Sequence, residues 1–342
     1  MQLSACEQFP DGLPKYQWKG DGTLSVPPTI KPTLNLSHQH QLRQVWCSLI
    51  EHFSLCEVTR ASDKTIAIAG LASVYQKKTN DTYPAGLWKS DLYQQLCLQK
   101  NNVWDTQDSV YIRTTQYHGP SWSWVSIDGP VLMDSKYFRP KDLQNRYSTC
   151  FLKLLDTRIE SETPEALHSF KSCDIRLQAI GGWASVQAFE TICEDNLTID
   201  IGGQIISLGW PNSRDLYVSW DEDVPQSLKW AHHEQWCRIQ QERRSKVLFV
   251  LVYGQSDKWC GQKSPGNDAD ICCGLLLRPQ VIPEGDLGFS RMGYVQLCGL
   301  GSGLLFDLLA TKLELASNER LGSQINLDDP RLVGLVHTIT MI

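Results

Sequence analysis

The chain has no run of about 18 apolar residues, the length that a membrane-spanning helix needs. Met1 to Pro10 holds no basic stretch followed by an apolar one, so no signal peptide is expected. The two absences together point to an intracellular, cytoplasmic protein without a membrane span. Positive charge is not in excess either. The net charge is −6, and the densest basic cluster, Arg238, Arg243, Arg244 and Lys246, is interleaved with Glu234 and Glu242. That pattern reads as a solvated helix face. A nucleic-acid partner, which needs clustered Lys and Arg against phosphate, is not expected.

Recognisable reaction chemistry is missing as well. There is no Gly-x-Ser-x-Gly elbow to present a serine nucleophile. His232-His233-Glu234 has the letters of a zinc site but not the His-Glu-x-x-His spacing that sets two imidazoles on one face, and reads as a surface pair. Asp328-Asp329 is followed by Pro330-Arg331-Leu332, so the third carboxylate of a magnesium-binding Asp-Asp-x-x-Asp is absent. Gly299, Gly301 and Gly303 lack the dinucleotide-binding spacing. Asp221-Glu222-Asp223 reads as a solvated turn after a strand. No cofactor and no metal is therefore expected. The 12 cysteines are scattered without a Cys-x-x-Cys pair, which disfavours structural zinc and suggests reduced thiols in the core.

What is present is a chain of 342 residues, 42% hydrophobic and 20% charged, long enough to bury a large core. Residues 1–40 are rich in Pro and Gly and read as an extended arm. Residues 41–130 form a helical segment, and 131–342 a β-rich region with a helix near its end; 41–342 is expected to be one compact unit. Leu42, Val45, Trp46, Leu49, Ile50 and Phe53 recur at helical spacing over 41–55. A second helix is expected from Ser62, with Asp63 in its first turn, to Lys77-Lys78, and a short one over 92–98. Strands are expected at 151–155, 175–180, 197–201, 204–208, 216–220, 247–253, 273–278 and 292–297, with a hairpin turn at Gly202-Gly203. Further helices are expected over 227–245 and 305–321. The implied fold class is α+β: a sandwich- or barrel-like β core with a few packed helices.

The most informative stretch is Tyr117-His118-Gly119-Pro120-Ser121-Trp122-Ser123-Trp124. Two tryptophans at spacing two would share one face of a strand, closed by the Asp128-Gly129-Pro130 turn signal. They would form either a core wedge or the floor of a pocket. The bland readings of the neighbours are a structural His118 bonded to backbone, a turn-forming Asp128 and a capping Asp63.

Four fragments resemble one family. They are Trp46 to Phe53, Val58-Thr59-Arg60-Ala61-Ser62-Asp63-Lys64 running on to Gly70-Leu71-Ala72, Tyr83-Pro84-Ala85-Gly86-Leu87-Trp88, and Tyr117 to Gly129. In this order they are similar to the second half of fungal heterokaryon-incompatibility (HET) domain proteins, whose signature includes Ala-Gly-Leu-Trp and Pro-Ser-Trp-Ser-Trp-Ala-Ser-Val-Asp-Gly. The resemblance covers residues 41–130 well and 175–300 loosely. His118-Gly119 stands where the family usually has Arg-Ala, and Leu96-Cys97-Leu98 where it has Leu-Leu-Trp. The family's first half, likened to a nucleotide-handling cell-death fold, has no counterpart here, which implies that its effector activity is not carried over.

Two functions follow as expectations. The first is a cofactor-independent cyclase or isomerase of fungal secondary metabolism, including intramolecular Diels–Alder chemistry, in which a shaped apolar pocket folds a terpenoid or polyketide into a reactive conformer. Its substrate is an apolar small molecule, with Trp88, Trp122 and Trp124 as pocket walls and His118 and Tyr117 as catalytic polar groups. The second is a non-catalytic HET-like recognition protein that lacks the effector half.

Overall fold

The computed structural model describes residues 17–18, 24–25, 38–56, 63–100, 117–133, 147–161, 170–188, 195–208, 216–222, 231–256, 271–282, 286–315 and 324–342. Most of the expected N-terminal arm lies outside them; within it are β1 (Gln17–Trp18) and β2 (Leu24–Ser25), paired antiparallel. No helix among the described residues is long and apolar enough to cross a membrane.

The helical segment follows the apolar periodicity. Helix α1 (His38–Ser54) buries Trp46, Cys47 and Ile50, and α2 (Asp63–Thr79) buries Thr65, Ile68 and Ala72. Lys77 and Lys78 occupy the last turn of α2, where cations suit the helix dipole. A 3-10 turn, Lys89–Asp91, leads into α3 (Leu92–Gln95), and β3 (Gln99–Lys100) pairs with β4 (Val131–Leu132). Two long-range ion pairs bind the segment together: Arg43 to Asp91 at 3.0 Å, and Lys64 to Asp128 at 2.7 Å. Asp128 therefore does more than shape a turn, since Lys64 also donates to the Ile127 carbonyl.

The remainder is built on one mixed sheet of ten strands, β5 (Tyr147–Cys150), β6 (Leu152–Ser161), β7 (Phe170–Ala188), β8 (Asp195–Ile201), β9 (Gln204–Leu208), β10 (Leu216–Trp220), β11 (Val247–Ser256), β12 (Ile271–Val281), β13 (Leu287–Cys298) and β14 (Val336–Met341). The path β11–β12–β13–β14–β7 closes on itself because β7 also pairs with β11, so the α+β fold has a barrel-like core. Strand β7 makes closure possible by changing partners midway. Up to Ile180 it pairs with β6 and β14; from Gly181 onward it pairs with β11 and β8. The change falls on Gly181-Gly182. A Cβ at Gly181 would lie 2.3 Å from the Phe249 carbonyl, and one at Gly182 only 2.0 Å from that of Asp200. Only glycine lets both neighbouring backbones come this close.

Both faces of the central strands are buried. Along β11, Val247, Phe249 and Leu251 enter one core with helix α5 (Gly299–Lys312), whereas Leu248, Val250 and Val252 enter the other with α1 to α3 and the Trp motif. Helix α4 (His233–Arg244) is anchored by buried Ile239 and partly buried Trp236, one turn apart on the same face.

Several sequence expectations are corrected. Trp122 and Trp124 are not on a strand: a turn precedes a 3-10 helix, Trp124–Ser126, because the Ser123 hydroxyl accepts from the Val125 N–H and caps it. The last helix starts at Gly299 rather than 305, and Glu314 at φ 54° ends it. The thiols are not all core: Cys47, Cys97, Cys173, Cys272 and Cys273 are buried, but Cys56 and Cys237 are exposed.

Candidate functional site

The four side chains of Ser121-Trp122-Ser123-Trp124 act as a clamp, each giving a hydrogen bond to a carbonyl of another element. Ser121 Oγ donates to Ile342 O and accepts from Arg291 N (2.9 Å), which bridges β13 and the end of β14. Trp122 Nε1 donates to Met341 O (3.2 Å). On the other side, Ser123 Oγ donates to Ala85 O (2.5 Å) and Trp124 Nε1 to Gly86 O (2.9 Å). The Ala85-Gly86 turn is in the left-handed region, at φ 45° and 97°, and a Cβ on Gly86 would fall 2.8 Å from Trp124 Nε1. The Ala-Gly-Leu-Trp and Ser-Trp-Ser-Trp fragments are thus two halves of one joint.

Trp122 and Trp124 are buried, and so is Trp88. Trp88 packs with Trp46 (5.2 Å, edge-on), Tyr75 (4.4 Å, stacked) and Tyr83 (4.4 Å). Its backbone is gripped at both ends by the Gln95 amide, which accepts from Trp88 N and donates to Trp88 O, each at 3.0 Å. The space beside Trp124 amounts to about 10 Å³, room for one water at most. Tyr117 is half exposed, with its phenol pushed up mainly by burial against β7 near Cys173. His118 is partly buried. Of the five residues that the sequence singles out, Trp88, Trp122 and Trp124 are thus buried, His118 is partly buried and Tyr117 is exposed.

A ligand-sized space lies elsewhere. A half-open groove of about 360 Å³ runs between the α3 turn and the start of β6, lined by Lys89, Leu92, Tyr93, Cys150, Leu152, Lys153, Leu154 and Gln324. Its volume and mixed lining suit a small organic molecule, since such sites span about 300–1,000 Å³ with apolar walls and a few polar groups. Lys153 is paired with Asp328 at 3.0 Å. Burial raises the pKa of the Tyr93 phenol and of the Cys150 thiol, so both stay protonated at neutral pH.

Behind the groove lies an unusual row of buried polar groups. Tyr93 stacks on Tyr253, with ring centroids 6.1 Å apart. Tyr253 sits opposite Cys150 on one side and Cys273 on the other, and Cys273 opposite Gln296. Gln255 Nε2 donates to Tyr253 Oη (3.0 Å); Tyr294 Oη accepts from the Cys273 thiol (3.0 Å) and donates to Gln296 Oε1 (3.1 Å); Gln296 Nε2 donates to Cys298 Sγ (3.2 Å). Cys97 from the α3 turn meets Cys273, and this contact together with burial holds its thiol well above the usual range. A row of polar side chains inside a core is retained only where its bonds are made, as here. The sequence signal for it is the repeated Tyr-x-Gln, Tyr253-Gly254-Gln255 and Tyr294-Val295-Gln296, inside otherwise apolar strands.

Beside this row, Arg291 and Asp221 form a fully buried pair at 3.2 Å, and Arg291 also donates to the Leu98 carbonyl. Asp221 is therefore an interior counter-ion, not the solvated turn residue that the sequence suggests. Among the described residues no group of three or more His, Cys, Asp or Glu is arranged to hold a metal. Comparison with protein-family models, curated proteins and solved structures finds no match to this chain.

Proposed function

We propose that the protein is a cofactor-independent cyclase or isomerase acting on an apolar small molecule, of terpenoid or polyketide type, in the groove between α3 and β6. The observation that carries this reading is the groove itself, about 360 Å³ with Leu92, Leu152 and Leu154 as its apolar floor. Such a surface holds a flexible chain in a compact conformer, and proximity alone supplies several kcal/mol of a unimolecular closure. Tyr93, kept protonated by burial, donates a hydrogen bond to a substrate carbonyl and polarises it, as an intramolecular Diels–Alder or an enone isomerisation requires. The ammonium of Lys89 at the rim anchors an anionic or carbonyl end. In this reading Trp88, Trp122 and Trp124 are structural and do not touch substrate.

The test is incubation of the purified protein with metabolite extract from a strain deleted for its gene, followed by mass spectrometry. A new product of unchanged mass, made by the wild type and lost in Tyr93→Phe and Leu154→Asp, supports the reading. Loss of the product in Tyr117→Ala and His118→Ala, with Tyr93→Phe fully active, would place the chemistry at the Trp motif instead.

A second reading is a HET-like recognition protein without catalysis. It is favoured by the burial of Trp122 and Trp124 and by their hydrogen bonds to backbone carbonyls, which fit an architectural role. Under it the same incubation yields no product, while a protein partner co-purifies whose binding is lost in surface variants that leave the groove intact.

A further inference from the structure

We propose that His233 and Cys237, on the outer face of α4, form a two-point chelate for a thiophilic divalent metal ion of the zinc class. The pair is spaced i, i+4, which puts both side chains on one helix face. Cys237 Sγ lies 3.6 Å from His233 Nε2 and 4.0 Å from Nδ1. Tetrahedral zinc, with bonds of about 2.3 Å to sulfur and about 2.0 Å to nitrogen, holds such atoms roughly 3.5 Å apart. The Sγ–Nε2 separation is thus close to what the ion imposes, and because Sγ is nearly equidistant from both ring nitrogens, the exposed imidazole turns about its Cβ–Cγ bond to aim Nε2 at the ion.

The surroundings suit the role. Both side chains are exposed, so the ion has a path in. Buried Ile239 anchors the helix, and the Trp236 ring backs the imidazole at 6.4 Å. The guanidinium of Arg238, next in sequence to Cys237, is engaged by Glu222 (2.5 Å) and Glu242 (3.0 Å), whose charges offset its own. No third His, Cys, Asp or Glu among the described residues completes a cluster, so water occupies the other positions. Binding forms a thiolate–metal bond and releases the thiol proton to solvent.

The chain carries an internal control with the same spacing. His52 and Cys56 are also four apart, but Cys56 lies beyond the end of α1. There the imidazole Nδ1 meets Ser48 O at 2.6 Å and the thiol turns to the His52 carbonyl at 3.6 Å, so the two ligand atoms diverge. Spacing alone does not make the site; convergence does.

The experiment is cobalt titration of the reduced full chain, read by the sulfur-to-cobalt charge-transfer band. The wild type and Cys56→Ser should show the band, saturating at one ion per chain and bleached by zinc. Cys237→Ser should abolish it, and His233→Gln should weaken binding by about tenfold or more. These exposed substitutions leave the far-ultraviolet circular dichroism unchanged. No band in the wild type, a band retained in Cys237→Ser, or an unchanged midpoint in His233→Gln would each overturn the proposal.

Discussion

Trp124→Ala separates a clamp from a pocket wall. Trp124 is 2% exposed, donates to Gly86 O at 2.9 Å and meets the Phe53 ring edge-on at 5.9 Å. Removing a buried indole costs about 3–5 kcal/mol through lost transfer energy and the cavity left behind. The Gly86 carbonyl loses its donor, which adds about 1–3 kcal/mol unless water enters. A domain has only about 5–15 kcal/mol in total, so the variant should stand at the edge of folding at 25 °C. Trp124→Phe keeps most of the ring and loses chiefly the hydrogen bond, so about 1–3 kcal/mol is expected. The assay is urea denaturation followed by far-ultraviolet circular dichroism. Midpoints should fall in the order wild type, Trp124→Phe, Trp124→Ala, with half-exposed Tyr117→Ala within about 1 kcal/mol of wild type. A Trp124→Ala midpoint equal to the wild type would refute the clamp, because a ring that lines open space can be removed without penalty.

Three further outcomes follow from the fold. Gly182→Ala should destabilise far more than Gly203→Ala: the first drives a methyl to 2.0 Å from the Asp200 carbonyl, whereas the second meets open space and strains only φ at +84°; thermal unfolding of the pair checks this. Asp221→Ala leaves Arg291 without its buried counter-ion and should cost about 3–5 kcal/mol, and adding Arg291→Met should recover part of that in the same denaturation assay. His337 has its pKa lowered below 6.5, because burial outweighs its hydrogen bond to Gly181 O. Its contribution is fully present above pH 6.5 and is lost as pH falls through the lowered folded value, so His337→Gln should flatten the loss of stability between neutral and acid pH.

Much of the fold is legible in the residues. Helical spacing from Leu42 to Phe53 marks α1, and Gly202-Gly203, at φ 60° and 84°, makes the expected hairpin between β8 and β9. What escapes has a physical cause. The Trp pair looks like alternation, but Ser123 closes a local cap and each indole seeks a carbonyl in a distant segment, so long-range bonds override the period of two. Helix α5 begins in Gly299-Leu300-Gly301-Ser302-Gly303, where propensity is poor; packing of Leu305, Phe306, Leu308 and Leu309 into the core overrides it. Strand β14 takes its place by pairing along β7 from Val336 to Met341, a partner some 160 residues earlier by the rough span of the chain between them. The groove has no local signature at all, because Tyr93, Cys150 and Gln324 come together only once the sheet is formed.

The most direct test of the division between clamp and groove is fluorescence titration with 1-anilinonaphthalene-8-sulfonate, an apolar anion matched to a leucine floor and a lysine rim. Leu154→Asp and Lys89→Glu, at partly exposed and exposed positions, should abolish saturable binding while leaving the unfolding midpoint near the wild type, and Trp124→Phe should bind normally despite its lower midpoint. Undiminished binding in both groove variants, with loss in Trp124→Phe, would contradict the account.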